Sequence, residues 1–276
     1  ISRLQKILYL LMALSAVGTL YSAFILFSDR REYNEGNDIY QQIRQMREAP
    51  MLSKIRDSET EQNDGIITSD SEAKETKETE EQNQPTGSID FTSLRKINSD
   101  TVGWIKAGDG VIDYPVVQSK DNDYYLDHLF TGESNKVGSI FMDYRNHSDF
   151  SDRNTIIYGH HLRDGSMFSN LSKYKNNEYY DIFPTMILHT PSDDFRLDLF
   201  AGIIVDGSND AVQLDFKDDQ DFQEYMKLLK SESTFKSDTV VEASDRIVTL
   251  CTCTYEFDNA RYALFGKLTA IDQQPD

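Results

Sequence analysis

Cysteine is nearly absent from this chain: Cys251 and Cys253 are the only two in 276 residues. That is too few for a disulfide framework. Basic charge is short as well. Asp and Glu number 47 against 28 Lys and Arg, a formal net charge of -19. Nucleic acid is a poor partner for such a surface, because phosphate binding needs Lys and Arg faces. Histidine is scarce, at positions 128, 147, 160, 161 and 189. None of these spacings is the paired pattern of a zinc site, and two thiols need two further ligands to complete one. No internal repeat is present.

Charge is missing altogether from 7–27, "ILYLLMALSAVGTLYSAFILF". At 1.5 Å per residue that run reaches roughly 31 Å, the thickness of a bilayer's hydrocarbon core. Arg3 and Lys6 precede it, Tyr9 stands near one interface, and Phe24 and Phe27 stand near the other. A cleaved signal is the competing reading, since "LSA" and "YSA" offer small residues. The apolar run continues past the first of them and exceeds a signal core. Residues 1–31 are therefore expected to be a transmembrane anchor with its flanks. Arg30 and Arg31 nearly balance the basic residues on the other side. The acidic, cysteine-poor remainder places the N-terminus in the cytoplasm and the rest outside.

Residues 32–55 carry a thin helical stripe of Ile39, Ile43 and Met46, with Tyr40 beside it and Pro50 where the next apolar residue should fall. This is a possible juxtamembrane helix. Residues 56–88 have no aromatic and are rich in Glu, Asp, Ser, Thr and Gln. Such a segment cannot bury enough apolar surface to offset its ordering entropy, so it reads as a disordered acidic linker. Residues 89–276 are expected to be the folded domain. Eight short runs there are rich in Val, Ile, Tyr and Phe: "VGWIKA", "VIDYPVVQ", "GSIFMDY", "NTIIYGH", "TMILHT", "FRLDLFAGIIV", "RIVTLCTCT" and "YALFGKLTAI". Helices are expected at "DFTSLRKIN" and "DQDFQEYMKLLKSES". Many strands with few helices predict a mainly antiparallel barrel or sandwich.

The two thiols sit in "TLCTCTYEFDNAR". Residues two apart on a strand are about 6.6 Å apart with parallel Cβ vectors, too far for a bridge that wants Cβ atoms within about 4.5 Å. Buried filler is the bland reading of either. Cys253, however, ends an apolar run and opens a polar one, which puts it at a strand's mouth. A strand, a loop and a returning strand would set Arg261 beside it. There an arginine's fixed charge favours thiolate and its forked donors can hold an oxyanion. A thiol enzyme also needs a proton carrier for its leaving amine. "NTIIYGHHLRDGSMF" supplies His160, at a strand end after Gly159. His161 is its rival, on the opposite face if the strand continues.

"TLCTC" followed by Arg261, with "YGHH" upstream, resembles the sortases, membrane-anchored cysteine transpeptidases of Gram-positive bacteria. "VGWI", "IDYPVVQ", "DNDYYL", "GSIFMDYRN", "NTIIYGHHLRDGSMF" and "TLCTCTYEFDNAR" are similar, in order, to class B segments. The resemblance implies a closed eight-stranded sortase barrel with peripheral helices. It makes Cys253 the nucleophile, His160 the general acid/base and Arg261 the arginine that holds substrate and oxyanion. Asn122, Leu126, Tyr158 and Cys251 would line the substrate groove. Position 251 is often Ser in the family, where it makes a polar contact with substrate; Cys replaces it here. Position 254 is Thr where some class B members have an acidic residue, and it is given no role.

The implied reaction cleaves a C-terminal sorting motif after Thr through a thioacyl-enzyme. It then transfers the surface protein to an amine of a peptidoglycan precursor. The partners are thus surface proteins with sorting signals, the wall amine and the membrane. No metal or organic cofactor follows. Calcium helps some sortases, but no defined calcium loop occurs in the sequence. Three other readings remain: a cysteine peptidase that passes the acyl group to water, a pilin-polymerising sortase, and a non-catalytic binding module.

Overall fold

The runs of β-branched and aromatic residues each become one strand. In the computed structural model, which describes residues 3–61, 89–108, 110–207 and 212–271, the strands are β1 Thr101–Ala107, β2 Asp113–Val117, β3 Ile140–Met142, β4 Asn154–Tyr158, β5 Thr185–His189, β6 Asp194–Asp206, β7 Ile247–Cys253 and β8 Ala260–Ala270. They close into a barrel in the order β1-β2-β3-β4-β7-β8-β6-β5. Six neighbouring pairs are antiparallel, while β2–β3 and β4–β7 are parallel. The long β6 and β8 pair along nearly their full length, with a bulge between Leu199 and Ala201. Such a bulge bends a long strand and lets it follow a closed wall.

Closure removes sheet edges and leaves one packed interior. Trp104, Ile105, Val116, Leu188, Leu197, Leu250 and Leu264 are almost fully buried in the main apolar core, inside the barrel or against its wall. Trp104 still satisfies its indole, donating Nε1–H to Asp113 at 2.6 Å.

Among the described residues, four α-helices accompany the barrel. α2 Phe91–Ile97 is capped by Asp90, whose side chain accepts from the Ser93 amide at 3.0 Å. α4 Asp219–Glu232 is capped by Asp218, with Asp219 and Asp221 in its first turn and Lys230 in its last, matching the helix dipole. Its Phe222, Tyr225, Met226 and Leu229 pack with Phe200, Ile203, Ile247 and Phe265 in a second cluster outside the main core. α3 Asn177–Ile182 is short and follows a 3-10 helix, Ser169–Lys175.

α1 is one helix from Arg3 to Glu61 and takes in both the apolar run and the stretch 32–55. It contains a segment long and apolar enough to cross a membrane. Tyr40 and Ile43 of the thin stripe are buried against the barrel, Ile39 is half-buried and Met46 is exposed. The docked face is therefore narrower than the stripe. The linker expected from residue 56 is helical at its start, because α1 continues to Glu61; its remainder, 62–88, lies outside the described residues.

Candidate active site

The parallel pairing of β4 with β7 builds the site. Tyr158 stands opposite Cys251. The ladder runs one step past β4: the Gly159 amide donates to the Cys251 carbonyl at 3.1 Å, and Thr252 Oγ1 donates to the Gly159 carbonyl at 2.8 Å. His160 thus leaves β4 level with the end of β7. Gly159 is needed there, because a Cβ would lie 2.8 Å from the Phe168 ring.

On the other side of β7, the turn back into β8 sets Cys253 opposite Arg261. The turn is closed by the Thr254 amide donating to Ala260, and Asn259 takes a left-handed φ of 61°. Arg261 Nη1 donates to Cys253 Sγ at 2.9 Å. Both side chains are half-buried. Gly207, at the end of β6, leaves room for the guanidinium: a Cβ there would lie 3.0 Å from Arg261 Nε.

The cysteines therefore differ sharply, and neither is in a disulfide. Cys251 is 5% exposed, and burial pushes its thiol up to about 12 against the smaller opposing effect of Arg261. Cys253 reaches the surface.

The alternation that would set His160 and His161 on opposite faces holds only if the strand continues through them. β4 stops at Tyr158, so the period of two ends before either ring. His160 Nε2 meets the Leu126 carbonyl at 2.5 Å. His161 Nδ1 meets the carbonyl of Cys253 at 2.8 Å, and its ring lies edge-on to Tyr255. His161 thus braces the mouth of β7, and His160 is seated against the loop that carries Leu126.

Asn122 and Tyr158 converge on a residue the sequence did not single out, Asp143. Its buried carboxylate accepts from Asn122 Nδ2 at 3.0 Å, from the Tyr158 hydroxyl at 2.9 Å and from Arg145 at 2.8 Å. Burial alone would raise this carboxyl. The hydrogen bonds, led by Arg145, hold it below the usual carboxylate range. Burial and then Asp143 push the Tyr158 phenol well above its usual value. Leu126 lies at the surface nearby. Thr254 also acquires a part: it receives a hydrogen bond from Lys175 Nζ at 2.6 Å and donates to Glu256 at 2.6 Å, and Lys175 pairs with Glu256. Although desolvation opposes it, Lys175 and Thr254 lower the Glu256 carboxyl to about 2. These three groups fasten the β7–β8 turn next to Cys253. No sequence period points to them, since Lys175 and Glu256 are 81 positions apart.

A half-buried thiol with a guanidinium on its sulfur, an imidazole one strand away and a set of polar groups fixed around Asp143 can carry acyl transfer. No protein-family model matches the chain. Among curated proteins, Sortase B of Listeria monocytogenes is 40% identical over 181 residues, covering 65% of this chain and 74% of that protein. Among solved structures, the Staphylococcus aureus sortase B–substrate complex superposes with a TM-score of 0.63 at 36% identity, covering 66% of this chain and 85% of that one. A sortase B complexed with triglycine superposes with a TM-score of 0.63 at 36% identity, covering 66% and 86% of the two chains.

Proposed function

Because the chain belongs to the sortase B family of cysteine transpeptidases, we propose that Cys253 attacks the carbonyl carbon of a Thr in a C-terminal sorting motif. The observation that carries this reading is the 2.9 Å contact of Arg261 Nη1 with Cys253 Sγ at the mouth of the β4–β7 pair. As the C–S bond forms, the carbonyl oxygen becomes an oxyanion, and the Arg261 fork is close enough to stabilise it. Collapse breaks the C–N bond. His160, which has taken the proton of the Cys253 thiol, gives it to the departing amine, and a thioester is left on Cys253. An amine of a peptidoglycan precursor then attacks, His160 takes its proton, and the new amide leaves Sγ free for another cycle. Asn122, Leu126 and Tyr158 line the groove that receives the motif, with Cys251 beside Tyr158 on the neighbouring strand.

The known complexes of relatives with a substrate and with triglycine support a peptide donor and an amine acceptor. The test uses the full chain with quenched peptides carrying NPxTN-like, PPxTG-like and LPxTG-like motifs, with and without triglycine. A peptide adduct on Cys253 and an amide product containing triglycine are expected. Hydrolysis alone at every triglycine concentration would instead make the protein a peptidase.

Residues 1–31 anchor the protein, with the N-terminus cytoplasmic and the barrel outside. The uncharged run inside α1 supports the anchor, and the acidic, cysteine-poor remainder supports the orientation. Protease added to intact cells should remove the barrel; survival of the barrel would reverse the orientation.

A further inference from the structure

α1 does more than lead up to the barrel. Between Asp29 and Arg44 it grips the two chain segments that flank His160. The first is the connection from the 3-10 helix Tyr124–Leu126 to β3. Lys136 Nζ pairs with Asp29 at 2.6 Å, the Lys136 amide donates to Glu32 Oε1 at 2.9 Å, and Asn135 Nδ2 donates to the Glu32 carbonyl at 2.9 Å. Gly36 lets the helix touch this connection: a Cβ there would lie 2.8 Å from Val137 Cγ2. The second segment follows His161. Asn37 Nδ2 donates to Asp164 at 2.7 Å. Arg44 lies over the Tyr114 ring at 5.0 Å, and the Tyr114 hydroxyl accepts from the Met167 amide at 3.1 Å.

Tyr40 is the hub. It is 1% exposed. Its hydroxyl donates to the Gly138 carbonyl at 2.7 Å, accepts from the Phe130 amide at 3.2 Å and lies 2.9 Å from Ser139 Oγ. The other side of Gly138 is the seat of His160. With φ at +63°, Gly138 lies so close that an added Cβ would be 2.7 Å from the Leu126 carbonyl and 3.0 Å from His160 Cδ2. Leu126 is the residue whose carbonyl meets His160 Nε2. One buried hydroxyl of the N-terminal helix therefore holds the backbone against which the imidazole rests.

We propose that Tyr40 is a positioning residue for His160, and that α1 is a working part of the catalytic apparatus. Removing the hydroxyl leaves the Phe130 amide and the Gly138 carbonyl buried without that partner, and the segment relaxes to satisfy them. A small displacement of the seat moves the ring, and the rate of proton transfer depends steeply on that placement. Most of the groove does not depend on it, because Asn122 and Tyr158 are held by Asp143, while Leu126 moves with the seat.

The proposal rests on His160 being the general acid/base, and the experiment separates the two. Full-length protein in detergent, labelled in its histidine rings, is compared as wild type, Tyr40→Phe, Asn37→Ala and His160→Ala. In Tyr40→Phe the His160 ring resonances should shift and kcat should fall by roughly 10–100-fold, with a much smaller change in KM through Leu126. Asn37→Ala, at a half-buried position holding a single hydrogen bond to Asp164, should keep the fold and give a smaller change of the same kind. It serves as the readout if Tyr40→Phe fails to fold. Unchanged His160 resonances and kcat in a folded Tyr40→Phe, with His160→Ala inactive, would overturn the positioning role alone. Full activity in His160→Ala would overturn the acid/base assignment and with it the effect on kcat. A shift of the ring in Tyr40→Phe would then remain as support for the seat.

Discussion

Cys253→Ala is expected to reduce peptide cleavage to the uncatalysed level, on the order of 10⁶-fold by comparison with loss of a serine nucleophile. Without Sγ there is no thioester, and neither Arg261 nor His160 can supply the missing bond. Cys251→Ala should retain most activity and lose only about 1 kcal/mol of stability, the effect of a small cavity. The same contrast should appear in thiol labelling at neutral pH. Iodoacetamide should modify Cys253 and leave Cys251 untouched, since Cys251 is 5% exposed and its thiol is pushed up to about 12. Mass analysis of the labelled peptide and initial rates on the three proteins check both points. Labelling of Cys251 first, or cleavage by Cys253→Ala at the wild-type rate, would remove the mechanism.

Arg261→Ala should lower kcat by about 10²–10³-fold, the usual effect of deleting one oxyanion donor. The backbone pairing of Arg261 with Cys253 and with Val205 does not depend on the side chain, so the barrel should fold normally. Arg261→Lys restores charge but not the fork of donors, and recovers only part of the rate. Single-turnover measurement of the thioacyl adduct locates the effect. Slow adduct formation with an unchanged amount of enzyme able to bind peptide fits a donor to the oxyanion. A fall in binding with normal acylation would restrict Arg261 to holding substrate.

Local chemistry made much of the architecture readable. Each strand follows an apolar run, and the placement of Arg261 opposite Cys253 follows from strand, turn and strand. The histidine pair was less legible, since β4 ends at Tyr158 and alternation gives no information beyond it. Asp143 could not be found by period or spacing, because its value lies in three partners drawn from separate segments, Asn122, Arg145 and Tyr158. Tyr40 was visible only as a companion to a thin apolar stripe. Its bond to Gly138 spans 98 positions and joins a helix to a loop.

The parallel β4–β7 pair bears on the order of assembly. His160 and Cys253 are 93 positions apart, and everything between them must fold out of the way before their strands can lie side by side. Contacts this distant in sequence form late, because the closure entropy of the intervening chain opposes them. β8 must then return along β7 before Arg261 reaches the sulfur. A chain emerging N-terminus first thus carries its imidazole for a long interval with no thiol beside it. On the mechanism proposed above, activity begins only when the last strand closes the wall, and an unfinished molecule does not act on the peptides around it.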